Sequence, residues 1–361
     1  MQILFFGTFD EQAHPRVRVL REGLADRGLS VAVCNVPLGL TTEARVQMTR
    51  RPVLAISFLA HLATCWIRLL WAARGLRPDV VLVGYLGHFD VHLARLRFRR
   101  ATIVLDHMVS LGDTARDREV GVRSRMDRVL DAVDRSAIRA ADILVVDTDE
   151  QRAALPGRPR RTTAVVDVGA PKAWSSARSA HSPSDHLRIV FFGLYTPLQG
   201  AIVIGEALRA LGDERLTCTM IGDGQDREAV AAVVGKDPRI KWIDWMDETE
   251  LAPQVAAHDV CLGIFGDSPK ALRVVPNKVY QGAAAGCAIV TSDTPPQRRA
   301  LGDCAVFVRP GDASSLAHAL RSLVTNPAEV ERLRTAAARH ADHCFTPSSV
   351  VAPLLAHLGA P

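Results

Sequence analysis

The chain is short of lysine, of paired cysteines and of long basic blocks, and each shortage narrows what it can be. Of its 44 basic residues only Lys172, Lys236, Lys241, Lys270 and Lys278 are lysines. The arginine bias suits phosphates or acidic surfaces, and codon preference explains it equally well. A net charge of +5 over 361 residues, with no basic block longer than Arg158–Arg161, gives no reason to expect a nucleic-acid partner. Cys34, Cys65, Cys218, Cys261, Cys287, Cys304 and Cys344 are odd in number and contain no Cys-x-x-Cys pair. That excludes a disulfide framework and a zinc knuckle, and points to a reducing, cytoplasmic setting. Met1–Gly7 enters an apolar run directly, without the basic start and cleavage site of a secretory leader. No Gly-x-Gly-x-x-Gly follows either of the two strand starts described below, which speaks against a dinucleotide cofactor. No Gly-x-Ser-x-Gly elbow is present to support Ser-His-Asp hydrolysis.

What is present reads as folded α/β protein. Hydrophobic residues make up 48% and charged residues 23%, with 25 Gly and 20 Pro, which excludes collagen-like, coiled-coil and largely disordered classes. Met1–Asp10 (MQILFFGTFD) and Leu187–Thr196 (LRIVFFGLYT) resemble each other, with Phe5 and Phe191 lying 186 positions apart. An apolar strand that breaks at Gly before a helical pattern is how the first βα unit of a parallel, doubly wound domain begins. Expected strands follow at 30–34, 80–83, 102–105, 143–146 and 163–166, and again at 216–221, 240–243, 260–264, 288–291 and 305–308, alternating with helical patterns. The reading is two Rossmann-like parallel-sheet domains facing a cleft. The expected boundaries are 1–170 for the first domain, 171–186 for a Ser/Ala/Pro/His-rich linker, 187–342 for the second domain and 343–361 for a tail that docks back on the first.

Val53–Ala73 is apolar for most of its length, follows Arg50-Arg51 and contains Trp66 and Trp71. A buried or half-buried helix and a peripheral membrane contact both fit, whereas His61, Thr64 and Arg68 count against a span.

In such domains ligands bind outside the carboxyl ends of the strands. The loop Gly193–Gly200 and the turn Gly222-Asp223-Gly224 can offer backbone N–H groups to phosphate. The run Cys261–Gly286 (CLGIFGDSPKALRVVPNKVYQGAAAG) combines a Gly loop, the cations Lys270, Arg273 and Lys278, and Pro276-Asn277 opening a helix with small residues from Gly282 to Gly286. This run resembles the donor site of family-4 retaining glycosyltransferases of the GT-B fold. The resemblance extends through 288–293 and 307–312, and to Phe5–Thr8, Asp106–Thr114, Ala141–Thr148, Val168–Ala170 and Phe192–Gly200, as in a bacterial subgroup of polysaccharide assembly. It implies transfer of a sugar from a nucleoside-diphosphate donor to a hydroxyl acceptor, with no cofactor and no metal.

Residue by residue, the resemblance implies donor contacts at Gly193, Gln199, Gly222, Gly224, Gly266, Lys270, Asn277 and Gln281, and diphosphate charge met by Arg273 and Lys278. Either Asp106 or His107 contacts the donor sugar from the first half, and Gly7, His14 and Arg18 lie toward the acceptor. Three positions depart from the family pattern: Arg273 and Gln281 stand where two glutamates are usual, and Gln199 where a basic residue is usual. Those departures keep a second class in view, a non-catalytic scaffold that binds a partner. Nucleotide-sugar epimerisation or a non-glycosidic coupling is a third reading.

Two short segments carry metal-ligand spacing, Asp147-Thr148-Asp149 and His88 with His92. Asp147-Thr148-Asp149 reads better as a helix start capped at Asp149 with Gln151, and His88 with His92 as ordinary histidines beside a cap at Asp90.

Overall fold

The computed structural model describes residues 1–11, 15–39, 52–118, 125–178, 185–212 and 214–359. The chain forms two compact units: residues 1–166 with 350–361, and residues 167–349. Each contains one six-stranded sheet whose paired strands are all parallel.

In the first unit the strands are β1 (Gln2–Gly7), β2 (Ser30–Asn35), β3 (Val80–Val83), β4 (Thr102–Asp106), β5 (Ile143–Val146) and β6 (Thr162–Val165), in the order β2-β1-β3-β4-β5-β6. Strand periodicity divides the core between the two faces. Ile3 and Phe5 pack with Leu20, Leu24 and the C-terminal residues Val351, Leu354 and Leu355. Leu4 and Phe6 face the other way, toward Leu69, Val91 and Ile138. Both faces are therefore covered, which is why the strands read as continuous apolar runs. Full burial of a side chain the size of Phe5 contributes about 1.5–3 kcal/mol.

In the second unit β7 (Leu187–Phe192), β8 (Leu216–Ile221), β9 (Ile240–Ile243), β10 (Val260–Leu262), β11 (Ala288–Ser292) and β12 (Ala305–Val308) run in the order β12-β11-β10-β7-β8-β9. The first three strands build outward from β7 in one direction and the last three in the other. The order therefore reverses between β7 and β10, the place where such sheets leave a crevice for ligands. The loops singled out above, Gly193–Gly200 and Gly263–Pro276, follow these two strands.

The segment 171–186, read as a linker, holds a helix at Lys172–Ser176 whose Trp174 is fully buried and stacked on Phe192 at 5.4 Å. Its polar composition hid a single large aromatic anchor. Residues 52–72 form one helix. It buries Leu62, Cys65 and Leu69 and exposes Leu59, Ile67, Leu70 and Trp71. Among the described residues no helix is long and apolar enough to cross a membrane.

Candidate donor site and a buried histidine cluster

The loop after β7 turns on Gly193 (φ +127°) and the loop after β8 on Gly222 (φ +117°), conformations that L side chains rarely adopt. The two glycines are pressed together: a Cβ on Gly222 would lie 2.1 Å from the Gly193 carbonyl oxygen. Gly224 is fitted just as closely against the Tyr195 backbone, whose N–H donates to Asp223 O. Farther along, Gly200 and Gly266 abut, because a Cβ on Gly200 would meet the Gly266 nitrogen at 2.4 Å. Phe265 N–H donates to Gln199 O. Glycine at these points allows the loops after β7, β8 and β10 to converge on one another.

Lys278 lies at the centre of that convergence. It occupies the second position of the helix Asn277–Ala284, whose N-cap is Pro276 and makes no side-chain cap. Its ammonium donates to Gln199 Oε1 at 2.6 Å and sits 3.7 Å from the centroid of the Phe191 ring. Its Nζ would be 3.4 Å from a Cβ placed on Gly193. The side chain is only 4% exposed, so Lys278 is not a solvated charge at the helix end. Burial pushes its pKa down to about 7, with the neighbouring Cys261 thiol acting weakly the other way.

Gln281, one turn along the helix, is buried, Asn277 is half-buried at the helix start, and Arg273 and Lys270 are half-buried on the preceding loop. The small residues of this helix serve packing: a Cβ on Gly282 would be 2.6 Å from Cys261 Sγ on β10. The structure thus brings Gly193, Gln199, Gly222 and Lys278 together directly, and keeps Gly266, Lys270, Arg273, Asn277 and Gln281 on the elements that adjoin them.

The first unit places its expected residues differently. Asp106, at the end of β4, faces the fully buried Arg16, whose Nε is 3.4 Å from both carboxylate oxygens and whose other guanidinium nitrogen donates to Val166 O at 2.9 Å. Burial raises the Asp106 pKa, against the pull of Arg16 and His107. His107 turns away from this pair toward His88 and Asp134. Gly7 (φ +151°) leaves room for Asp90, whose carboxylate accepts from Thr8 N–H at 2.7 Å, Thr8 Oγ1 at 2.8 Å and Trp66 Nε1 at 2.8 Å. Arg18 approaches Glu22 at 3.9 Å. His14 lies outside the described residues.

Two helix caps differ from the sequence reading. The N-cap of the helix Asp90–Arg97 is Phe89, because the Asp90 carboxylate is taken by Thr8 and Trp66. The cap of the helix Asp149–Ala153 is Thr148, which accepts from Gln151 N–H, while Asp149 pairs with Arg152 at 2.7 Å. His88 and His92 do not share a site: His92 meets Ser136 Oγ at 3.3 Å. His88 instead joins His107 and Asp134, three buried residues whose ligand atoms lie within 4.8 Å of one another. No spacing rule links positions 88, 107 and 134, so only the fold reveals the group.

Residues 186–326 match the glycosyl transferases group 1 family. The match covers 141 of the 361 residues. The matched segment carries the three sheet-end loops and the helix Asn277–Ala284 described above. No curated protein matches the chain in sequence. Among solved structures the chain is similar to sucrose-phosphate synthase from Thermosynechococcus elongatus, with a TM-score of 0.73, 14% identity, and 99% of this chain and 98% of that one covered. It is also similar to HepE of Anabaena in complex with UDP-glucose, with a TM-score of 0.70, 13% identity and 99% of each chain covered. A third is an alpha,alpha-trehalose-phosphate synthase (UDP-forming) from Burkholderia vietnamiensis, with a TM-score of 0.68, 15% identity, and 99% and 100% covered. These likenesses extend over both units and establish the GT-B fold of two Rossmann-like halves, the matched segment lying in the second.

Proposed function

We propose that the chain is a retaining glycosyltransferase that moves a sugar from a nucleoside-diphosphate donor, held by the second unit, to a hydroxyl acceptor taken up by the first. The observation that carries this reading is the buried Lys278 ammonium between Gln199, Gly193 and Phe191. A buried cation facing a tight glycine loop is suited to an anion, and it supplies from the helix the charge that position 199 lacks.

In the proposed reaction the donor diphosphate lies against the Gly193 and Gly222 loops, with Lys278 and Arg273 meeting its charge. The acceptor oxygen approaches the face from which the diphosphate departs. The C–O bond to the diphosphate breaks as the new one forms, and the acceptor proton passes to the leaving phosphate oxygen. Orientation and charge stabilisation are the protein's contributions, and no protein nucleophile takes part. No divalent ion is required at the diphosphate, so added Mg²⁺ or Mn²⁺ leaves the rate unchanged. Gln281 keeps a carbonyl acceptor for ribose hydroxyls and gives up the charge of the usual glutamate, at a cost of about 1–2 kcal/mol. The exposed Leu59, Ile67, Leu70 and Trp71 support a peripheral contact with a membrane, which suits a lipid-linked acceptor at the cytoplasmic face.

The test is a binding screen with nucleoside diphosphates, followed by donor screening that begins with UDP-sugars and by mass analysis of products. Binding together with a glycoside of retained configuration supports the reading. Failure of every common nucleoside diphosphate to shift heat stability or give a calorimetric signal overturns it.

A further inference from the structure

We propose that His88, His107 and Asp134 form a binding site for a divalent transition-metal ion, best matched by Zn²⁺, that clamps the loops after β3 and β4 to the helix Arg125–Ala140. The three residues come from different parts of the first unit: His88 follows β3, His107 follows β4 directly, and Asp134 lies within the helix. Their exposures are 4%, 5% and 0%, so water does not satisfy these groups. The rings of His88 and His107 stand edge to face, 5.2 Å apart.

Both ring nitrogens of His88 and Nε2 of His107 are buried with no hydrogen bond of acceptable direction. That occurs even though Asp134 Oδ1 lies 2.9 Å from His88 Nε2 and 3.8 Å from His107 Nε2. A buried polar atom left unpaired costs about 1–3 kcal/mol, and here two imidazole nitrogens, Nε2 of His88 and Nε2 of His107, face one carboxylate oxygen, an arrangement suited to a shared cation. Bonds of about 2.0–2.1 Å in tetrahedral array set ligand atoms roughly 3.3–3.4 Å apart. The two distances to Asp134 straddle that value, and small rotations of the imidazoles would bring all three atoms to it.

The donor set decides the ion. Two imidazoles and one carboxylate suit Zn²⁺ and its neighbours, and are a poor match for Mg²⁺ or Ca²⁺, which prefer all-oxygen shells. The shell around Asp134 is already built. Ser110 Oγ donates to Oδ2 at 2.7 Å, Leu111 N–H to Oδ1 at 3.0 Å and Gly112 N–H to Oδ2 at 3.1 Å. These bonds fix the orientation of the carboxylate, as outer-shell donors do for metal ligands. They also tie the loop after β4 to the same helix, and the ion would add the loop after β3. The site is built from residues of the first unit alone, and its test does not use the donor.

The experiment uses the full chain, stripped with chelator and titrated with Zn²⁺ alone. The expected result is one tightly held Zn²⁺ per chain and a melting-temperature rise of roughly 3–6 °C at saturating metal. In His88→Gln both effects are lost while the metal-free melting temperature stays close to the parent's. Retention of the same zinc by His88→Gln, or no binding by the parent chain, overturns the proposal. Should the variant not fold, zinc-edge X-ray absorption on the parent chain decides. A shell of two imidazoles with an oxygen donor supports the site, whereas sulfur in the shell assigns the metal to the exposed Cys344 and overturns it.

Discussion

The ammonium of Lys278 lies 2.6 Å from Oε1 of Gln199, so a cation from the helix Asn277–Ala284 reaches the residue that ends the loop after β7. Lys278→Met removes that cation while keeping the length of the stem over Phe191. We expect nucleoside-diphosphate affinity to fall by about 10–100-fold, the range for losing a hydrogen bond to a charged group. Isothermal calorimetry measures it, with the melting temperature as a check on folding. Unchanged affinity would remove Lys278 from the diphosphate.

The same lysine sets a pH dependence with opposite signs for stability and for binding. An unfolded chain keeps a lysine protonated up to about pH 10, whereas burial brings the folded-state pKa to about 7. Between those values the unfolded state binds more protons, so this residue makes stability rise as pH climbs from about 7 toward 10, and it adds no slope below that window. Diphosphate pairs with the ammonium, so affinity should fall above pH 7, by up to about tenfold per unit. Calorimetry at pH 8 in buffers of different ionisation heat should show close to one proton taken up per nucleotide. A heat independent of buffer would contradict the pairing.

Gln281→Glu returns the carboxylate that the resemblance leads one to expect on this helix. We expect nucleotide binding to tighten by about 5–30-fold. The more telling measurement is product formation by the same variant. Tighter nucleotide binding with no product over a broad acceptor panel would favour a non-catalytic scaffold, and product from either protein favours the transferase.

Arg16 and Asp106 are a buried pair in the first unit, 1% and 2% exposed. Arg16→Met leaves the Asp106 carboxylate without its counter-charge, and we expect a loss of about 3–5 kcal/mol in denaturant unfolding. The double change Arg16→Met with Asp106→Leu should recover most of that loss. If the double variant is no better than the single one, the cost lies in the lost bond to Val166 O or in packing.

The exposed face of the helix Pro52–Ala72 makes a claim about membranes. Ile67→Glu with Trp71→Glu should reduce sedimentation with anionic lipid vesicles several-fold and leave nucleotide binding unchanged. Equal sedimentation of parent and variant would remove the membrane contact.

Sequence alone carried the architecture, because a parallel sheet covered on both faces demands apolar runs, and these are visible at Ile3–Phe6, Val80–Val83 and Ile143–Val146. The repeated Phe-Phe-Gly starts marked two such sheets, and the glycines at 222 and 266 marked close loop approaches where nothing larger fits, while Gly193 marked a turn of positive φ. Side-chain partnership was not legible. Whether Lys278 is solvated or buried, whether Asp90 caps a helix or holds Thr8 and Trp66, and that His88 meets His107 and Asp134 all depend on contacts between residues 19 to 82 positions apart. Local pattern reports which face of its own element a residue occupies. What stands opposite that face, and hence its charge state and hydrogen bonds, is set only when strands and helices distant in sequence are packed together.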